Sequence, residues 1–140
     1  MKILAVDYGD SRTGLATCDR TEFLTTAITP QITLKARNKV AARVCEVAKE
    51  IGAEMIVIGL PLNMDGTEGP RAEKSRAFAE MLRGATGLDV RLWDERRSSV
   101  EAHAILSANG KREKKHKKPV DALAAALLLE SYLASQNGGY

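Results

Sequence analysis

Cysteine, histidine and aromatic residues are scarce in this chain of 140 residues, and each scarcity excludes a class of protein. The two cysteines, Cys18 and Cys45, lack the spacing of a metal or redox motif, which favours reduced thiols in a cytoplasmic protein. The two histidines, His103 and His116, complete no zinc pattern with them. Aromatic residues make up 4% of the chain, which argues against an extended surface for stacking single-stranded bases.

Long apolar runs are also absent. The longest, residues 122–129, is far shorter than the roughly 20 residues that span a bilayer, so we expect no membrane partner. Asp7 follows Met1 too closely to leave room for a secretory signal. A hydrophobic content of 44% and a mean hydropathy of −0.21 fit a soluble globular protein. The length predicts one compact domain over residues 1–140.

Charge is nearly balanced overall, with 21 Lys and Arg against 18 Asp and Glu, but it is unevenly distributed. The basic insert, residues 111–118 (KREKKHKK), holds six basic residues and one acid. The other 132 residues carry 15 basic and 17 acidic side chains, so the body of the protein is mildly acidic. This sorting of charge predicts a polyanionic partner, although a solvated loop can have the same composition.

Hydrophobic periodicity predicts five strands and four helices in the order β-β-β-α-β-α-β-α-α. The first three strands are joined by short polar turns, which indicates an antiparallel meander, and the last two enter through helices. Right-handed crossovers make those two strands parallel to the first. We therefore predict an α/β fold with a five-stranded mixed sheet. The predicted strands are residues 2–8, 14–18, 23–29, 54–59 and 88–94, and the predicted helices are 40–51, 71–83, 98–108 and 120–133.

Three acidic residues stand out by their positions in these elements. Asp7 ends an apolar strand, where a carboxylate is costly to bury unless it binds a cation or hydrogen-bond donors. Glu95 follows the last strand at its carboxyl end, where open α/β sheets place their ligands. Asp121 lies in the first turn of the last helix. Each has a structural alternative: a turn cap for Asp7, a solvated loop acid for Glu95 and a favourable helix-dipole position for Asp121.

Together the three carboxylates form a candidate catalytic metal site, because Asp7 and Glu95 end strands predicted to be parallel. An all-oxygen ligand set suits Mg²⁺ or Mn²⁺ better than softer metals. Two such ions about 4 Å apart can activate water and stabilise the leaving oxygen in phosphodiester hydrolysis. The basic insert next to Asp121 would hold the polyanion through its backbone phosphates. The sequence thus predicts a two-metal nuclease.

Four segments bring these features together: VDYGDSRTGLATCD (6–19), VIGLPLNMDGTEG (57–69), LWDERRSSVEA (92–102) and KKPVDALAAALLLESYL (117–133). In this order, and across nearly the whole chain, they closely resemble the YqgF (RuvX-like) family. The resemblance implies an RNase H-like fold and a cytoplasmic bacterial nuclease of pre-16S rRNA 5′-end maturation, with activity on structured or branched DNA as a further implication. The family's first-strand acid, D-E-R acid and final-helix acid fall on Asp7, Glu95 and Asp121.

Two features depart from the family's pattern. Arg97 stands where the family commonly has an apolar residue after the D-E-R motif, which bears on local packing and not on the metal ligand. RNase H-like folds often supply a fourth carboxylate, and the sequence identifies none. Asp94 is the nearest candidate, but alternation along the strand directs it away from Glu95.

Polar and basic residues near the predicted site are candidates for nucleic-acid binding. Arg12 and Arg96 are expected phosphate contacts. Asn63 lies in the loop 60–69, which is predicted to line the cleft; a structural turn around Asp65 and Gly66 is an equal alternative. The basic insert contributes Lys111, Arg112, Lys114, Lys115, Lys117 and Lys118.

Other functions fit parts of this pattern. A non-catalytic RNA-binding factor for ribosome maturation could keep the fold, but retention of all three acids argues against it. A kinase-like phosphotransferase of the actin type would share Asp7, Gly9 and Gly14 around a phosphate, but it needs two such domains. Holliday junction cleavage would need a stable dimer with two sites. The sequence specifies no dimer interface, so we expect a monomer or a weak homodimer.

Overall fold

The computed structural model describes residues 1–19, 25–94 and 120–136, and for residues 120–123 it describes only the helical backbone. The predicted helix 98–108 and the basic insert lie outside these ranges. The strands are β1 (Ile3–Tyr8), β2 (Thr13–Cys18), β3 (Thr25–Ile32), β4 (Met55–Leu60) and β5 (Asp89–Asp94). The helices are α1 (Arg37–Ile51), α2 (Pro70–Thr86) and α3 (Val120–Gln136).

The five strands form one mixed sheet in the order β3-β2-β1-β4-β5. β1 pairs antiparallel with β2, and β2 pairs antiparallel with β3. β4 is parallel to β1, and β5 is parallel to β4. The predicted topology is confirmed, and it brings the carboxyl ends of β1, β4 and β5 to one edge of the sheet.

β3 ends later than the predicted residue 29, because it continues through Pro30 to Ile32. It is an edge strand, and proline is tolerated there because the missing N–H removes no interior ladder bond. The register with β2 also shifts between Thr13 and Leu15, which pair with Ile32 and Ile28. Pro30 therefore lies within this irregularity.

Helix ends follow the local sequence signals. α1 ends at Gly52, as predicted, and that residue adopts a left-handed conformation with φ of 69°. α2 begins with Pro70 in its first turn and is followed by Gly87 with φ of 70°. Both helices are longer than predicted, because their polar ends lie outside the apolar stripe that marks a helix in the sequence.

The sheet is covered on both faces. α1 and α2 pack on one face, where Leu4, Val6 and Phe78 belong to a single buried cluster. α3 packs on the other face against Ile3 and Ala5. Alternation along β1 therefore assigns even-numbered residues to the α1/α2 face and odd-numbered residues to the α3 face.

The two cysteines contact different clusters. Cys18 is buried in the cluster under α3, whereas Cys45 packs against the cluster under α1 and α2. Both are free thiols, as predicted. Across the described ranges, no helix is both long and apolar enough to span a membrane.

Candidate functional site

Asp7 lies next to the carboxyl end of β1 and is half-buried. Because Ile3 and Ala5 pack under α3, alternation places Asp7 on the same face of the sheet. The carboxylate is thus held at the edge where the three parallel strands end. Asp7 is also one strand position away from Tyr8, whose ring contacts the opposite face.

Glycines occupy the sheet positions on both sides of Asp7. Gly14 of β2 pairs directly with it. On the other side, the pairing of Val6 with Ile58 puts Gly59 in the same row, and Gly59 pairs with Trp93 of β5. Residues in one row of a sheet share a face. Neither immediate neighbour therefore places a side chain beside the carboxylate, and the position of Trp93 is two strand spacings, roughly 10 Å, away.

The sequence analysis did not recognise that Gly59 lies beside Asp7, although the alternation of β4 pointed to the face on which it lies. Val57 packs under α3, so the period-two alternation of a strand assigns Gly59 to the same face. What the sequence could not supply was the register that sets Gly59 between Asp7 and Trp93.

α3 is tied to β4 and β5 through its second half. Trp93 Nε1 donates a hydrogen bond to Ser131 Oγ at 3.0 Å, and Arg91 Nη1 donates one to Tyr132 Oη at 2.7 Å. The Tyr132 hydroxyl also contacts Met55 Sδ, 3.9 Å away at the start of β4. Tyr132 therefore lies near the amino end of β4, and the neighbouring Ser131 is bonded to a side chain from the carboxyl half of β5.

Asp121 is the second residue of α3, eleven positions before Tyr132. That separation corresponds to about 16 Å of helix at 1.5 Å per residue. The distance along β1 from Ile3 to Asp7 is about 13 Å. α3 is long enough to reach from the amino half of the sheet to the edge where Asp7 lies. The side chain of Asp121 lies outside the described part of the chain.

Glu95 and Arg96 also lie outside the described residues, directly after β5 in the sequence. Among the described side chains, no group of three His, Cys, Asp or Glu residues could hold a metal ion. Asp94 is half-buried and follows Trp93, so alternation places it on the face opposite Trp93 and Asp7. That Asp94 points away from Glu95 stays a prediction, because Glu95 lies outside the described residues.

The turn between β1 and β2 depends on Gly9. A Cβ atom at this position would clash with the backbone carbonyl oxygen of Arg12. The turn also exposes Asp10 and Arg12 at the carboxyl edge of β1. Arg12 therefore lies near Asp7 along the chain, in a place open to a large ligand.

The loop after β4 is closed on itself. Leu62 and Glu68 form an isolated antiparallel bridge. Asn63 Nδ2 donates to Thr67 Oγ1 at 2.9 Å, and the Thr67 hydroxyl donates to Asp65 Oδ1 at 2.6 Å. The Asn63 side chain thus supports the turn, which is the structural alternative considered above, and its contact with phosphate stays a prediction.

An ion pair fixes the loop to α2. Arg76 donates from Nε to Glu68 Oε1 at 2.5 Å and from Nη2 to Oε2 at 2.7 Å. This two-point hydrogen bonding holds the pKa of Glu68 below its ordinary value and raises the pKa of Arg76. The loop after β4 is therefore held by hydrogen bonds within the loop and by an ion pair to α2.

Residues 1–135 match the model of a family described as RuvX: Holliday junction resolvase. Proteins of Syntrophus aciditrophicus and Anaeromyxobacter dehalogenans, each named "Putative pre-16S rRNA nuclease", are 43% identical to this chain over 133 residues. These alignments cover 95% of this chain and 88% and 96% of the two relatives.

Thermus thermophilus RuvC is similar in structure. It superimposes with a TM-score of 0.67 at 15% sequence identity, covering 99% of this chain and 97% of that one. Its complex with Holliday junction substrate gives a TM-score of 0.64 at 16% identity, covering 97% and 96%. The expected RNase H-like fold is confirmed.

Proposed function

The chain belongs to the RuvX family, and from that membership we propose that it is a cytoplasmic nuclease that hydrolyses phosphodiester bonds in the 5′-end maturation of pre-16S rRNA. The observation that carries the proposal is the position of Asp7. Its carboxylate is half-buried at the carboxyl edge of the parallel strands, on the face covered by α3 and between two glycines. A carboxylate held in this way is suited to a cation.

The proposed catalytic residues are Asp7, Glu95 and Asp121, each acting as an oxygen ligand for Mg²⁺ or Mn²⁺. Carboxylates are the ligands these ions prefer. Bound ions would supply Lewis-acid and water-activating chemistry, in a two-ion arrangement, for phosphodiester hydrolysis. The chain itself would orient the scissile phosphate and hold these three carboxylates near one another.

Two observations support bringing these three residues together. β5 ends at Asp94, one residue before Glu95 in the sequence, and β5 is linked to α3 through Trp93 and Ser131. The length of α3 is sufficient for Asp121 to reach the edge of the sheet where Asp7 lies.

Arg12, Arg96 and the basic insert are proposed to hold the RNA by its phosphates, while Asn63 keeps the adjacent loop in shape. Phosphate contacts give affinity without selecting a base sequence. A monomer, or a weak homodimer, is sufficient for this activity because a single cut needs a single site.

A second candidate function is Holliday junction cleavage, favoured by the description of the matching family. It requires two sites acting on symmetric strands, and therefore a stable dimer. The two functions make different demands on substrate and on oligomeric state, so one assay separates them.

The proposal is tested by nuclease assays with Mg²⁺ or Mn²⁺ on three substrates: a pre-rRNA 5′ leader, a linear single strand and a four-way junction. We expect the wild type to cut the leader and Asp7→Asn to lose that activity. Asp89→Asn is the matched control, because Asp89 is exposed at the opposite end of β5 and pairs with Arg91.

Equal cleavage by the wild type and Asp7→Asn would refute the assignment of Asp7. Cleavage of the junction alone would favour the second function. Binding of the leader without cleavage by any variant would instead indicate a non-catalytic maturation factor. Adding EDTA to the wild type should abolish cleavage and leave folding unchanged.

A further inference from the structure

A cavity of about 640 Å³ opens at the carboxyl end of β1 on the α1/α2 face. Tyr8 forms part of its wall, and the ring of Tyr8 stacks on Phe78 with centroids 4.1 Å apart. Lys35, Arg37 and Lys74 contribute three positive charges to the lining. The cavity is therefore a basic recess with an aromatic side, and it lies on the face of the sheet opposite Asp7.

The positive charges of the recess are poorly neutralised. Lys74 Nζ lies 3.4 Å from Asp10 Oδ1, and both side chains are largely exposed. Within the described part of the chain, no carboxylate forms an ion pair with Lys35 or Arg37. An exposed ion pair such as Lys74–Asp10 is worth little, so it can rearrange when an anion arrives.

Backbone donors add to the charge of the side chains. The recess includes the first residues of α1, and the residue before the helix, Ala36, makes no side-chain cap. The first turn of α1 also contains no acid. The amide groups of Arg37 and Asn38 therefore have no acceptor inside the helix, and they favour negative charge at this end.

The basic surface continues toward α2. A second, small cavity shares Tyr8, Asp10 and Lys74 with the first and adds Arg71 and Pro61, which follows β4. A cationic side chain thus lies at the start of each of the helices α1 and α2, and Lys74 of α2 lines both cavities. The two adjoining cavities together present four basic side chains and one acid, Asp10.

We propose that this recess binds backbone phosphates of the RNA strand on which the nuclease acts. The proposal deepens the proposed function and rests on it. Tyr8 and Asp7 are consecutive in β1 and direct their side chains to opposite faces, so a strand that crosses the sheet edge would reach both places. Lysine and arginine side chains with exposed amides recognise phosphate and not base identity, so this binding is independent of sequence.

The test compares two variants that remove the same charge from the region of α1. Lys35→Gln with Arg37→Gln changes the recess, whereas Lys39→Gln with Lys49→Gln changes exposed positions of the helix outside it. Binding of a fluorescent single-stranded RNA is measured by anisotropy in EDTA at several salt concentrations. The measured quantity is the slope of the logarithm of the binding constant against the logarithm of the salt concentration. Its magnitude should fall by about 1.4 for the recess variant, which is about 0.7 for each of two phosphates that are no longer neutralised. It should stay unchanged for the control.

Lys74→Gln provides a second variant, with an expected decrease in slope of about 0.7. Equal slopes for the recess and control variants, or no RNA binding by the wild type, would overturn the proposal. A free nucleotide offers the same phosphate chemistry, so titration of the wild type with ATP is included. Micromolar ATP binding that disappears in the recess variant would make the cavity a nucleotide pocket and would equally overturn it.

Because binding is measured in EDTA, the result does not depend on cleavage. A decrease in slope for the recess variant alone, in a protein that cuts no RNA, would uphold the phosphate site and refute the nuclease. If Asp7→Asn loses cleavage while the recess and control variants have equal salt slopes, the nuclease is upheld and the phosphate site is refuted.

Discussion

Trp93 donates its indole N–H to the hydroxyl of Ser131, 3.0 Å away, and this bond joins β5 to α3 across the face of the sheet that carries Asp7. Trp93 is two residues before Glu95, and Ser131 lies on the helix that begins beside Asp121. Ser131 is only 1% exposed, so its hydroxyl depends on partners within the protein. One partly buried hydrogen bond thus connects the elements proposed to supply two of the three catalytic acids.

Trp93→Phe removes this donor while keeping an aromatic ring. We expect unfolding free energy to fall by about 1–3 kcal/mol, because a buried hydroxyl loses a partner. The effect is measured by urea denaturation in a double-mutant cycle with Ser131→Ala. If the losses of the two single variants simply add in the double variant, the bond contributes nothing measurable.

Thr13 and Thr17 lie on the same strand but differ in hydrogen bonding. The Thr13 hydroxyl is buried without a partner among the described residues, whereas Thr17 Oγ1 donates to the Ile3 carbonyl at 3.0 Å. Thr13→Val should therefore be neutral or stabilising, and Thr17→Val should cost about 1 kcal/mol. Thermal or urea unfolding of both variants checks the difference. An equal loss at both positions would mean that Thr13 has a partner in solution.

Substitution of glycine by alanine is expected to have opposite effects at Gly9 and at Gly84. Gly9→Ala brings a Cβ into the Arg12 carbonyl oxygen, so the turn next to Asp7 must shift. Gly84 lies within α2 with open space around it, and Gly84→Ala should stabilise the helix by roughly 0.5–1 kcal/mol. We expect Gly9→Ala to lower stability and the rate of RNA cleavage, and Gly84→Ala to leave cleavage unchanged. Wild-type cleavage by Gly9→Ala would show that the turn does not position Asp7.

The ion pair between Glu68 and Arg76 makes the loop after β4 sensitive to acid. Its hydrogen bonds lower the pKa of Glu68 from the ordinary value of 4.5, so the folded state favours the ionised carboxylate. This stabilisation is present above that ordinary value and is lost as the pH falls through the lowered pKa. The protection factor of the Thr67 amide, that is, its exchange rate compared with an unstructured peptide at the same pH, should fall over that range.

Glu68→Gln is the control for this titration. This substitution removes the carboxylate, so the Thr67 amide should be less protected from exchange at neutral pH. Its protection should then no longer change as the pH falls through the pKa of Glu68. The amide of Thr67 donates to Asp65 Oδ1 at 3.0 Å, a bond that the substitution does not remove directly. A step of the same size in wild type and Glu68→Gln would assign the effect to Asp65 instead.

Neutralising the basic insert tests its role in binding. Replacing Lys114, Lys115, Lys117 and Lys118 by Gln should weaken RNA binding and lower its salt slope by about 0.7 for each phosphate that these lysines neutralise in the wild type. The slope is measured on linear single-stranded RNA in EDTA. An unchanged slope would identify the insert as a solvated loop.

Much of the fold could be predicted because its signals are local. The continuous apolar run of β4 indicated a strand buried on both faces, and all six of its residues are buried. Gly52 marked the end of α1 because glycine adopts the left-handed conformation at little cost. The end of β3 was predicted too early, because Pro30 was taken to end the strand. Whether a strand tolerates proline depends on whether it lies at the edge of the sheet, which the sequence does not show.

The candidate site was predicted less completely. Asp7 was selected as a candidate because an acid in an apolar strand is costly to bury and is therefore informative. The basic recess around Lys35, Arg37 and Lys74 was missed, since these residues are spread along the sequence and each is unremarkable alone.

The sequence by itself determined the order of the described strands and helices and the family, and it proposed the acids most suited to a cation, because periodicity, turn residues and misplaced charge are local properties of the chain. Only the tertiary structure decided which side chains become neighbours. Pairing register placed Gly14 and Gly59 beside Asp7, and the meeting of α1, α2 and β1 formed the basic recess. Register and packing depend on contacts between distant residues, and no local pattern in the sequence records them.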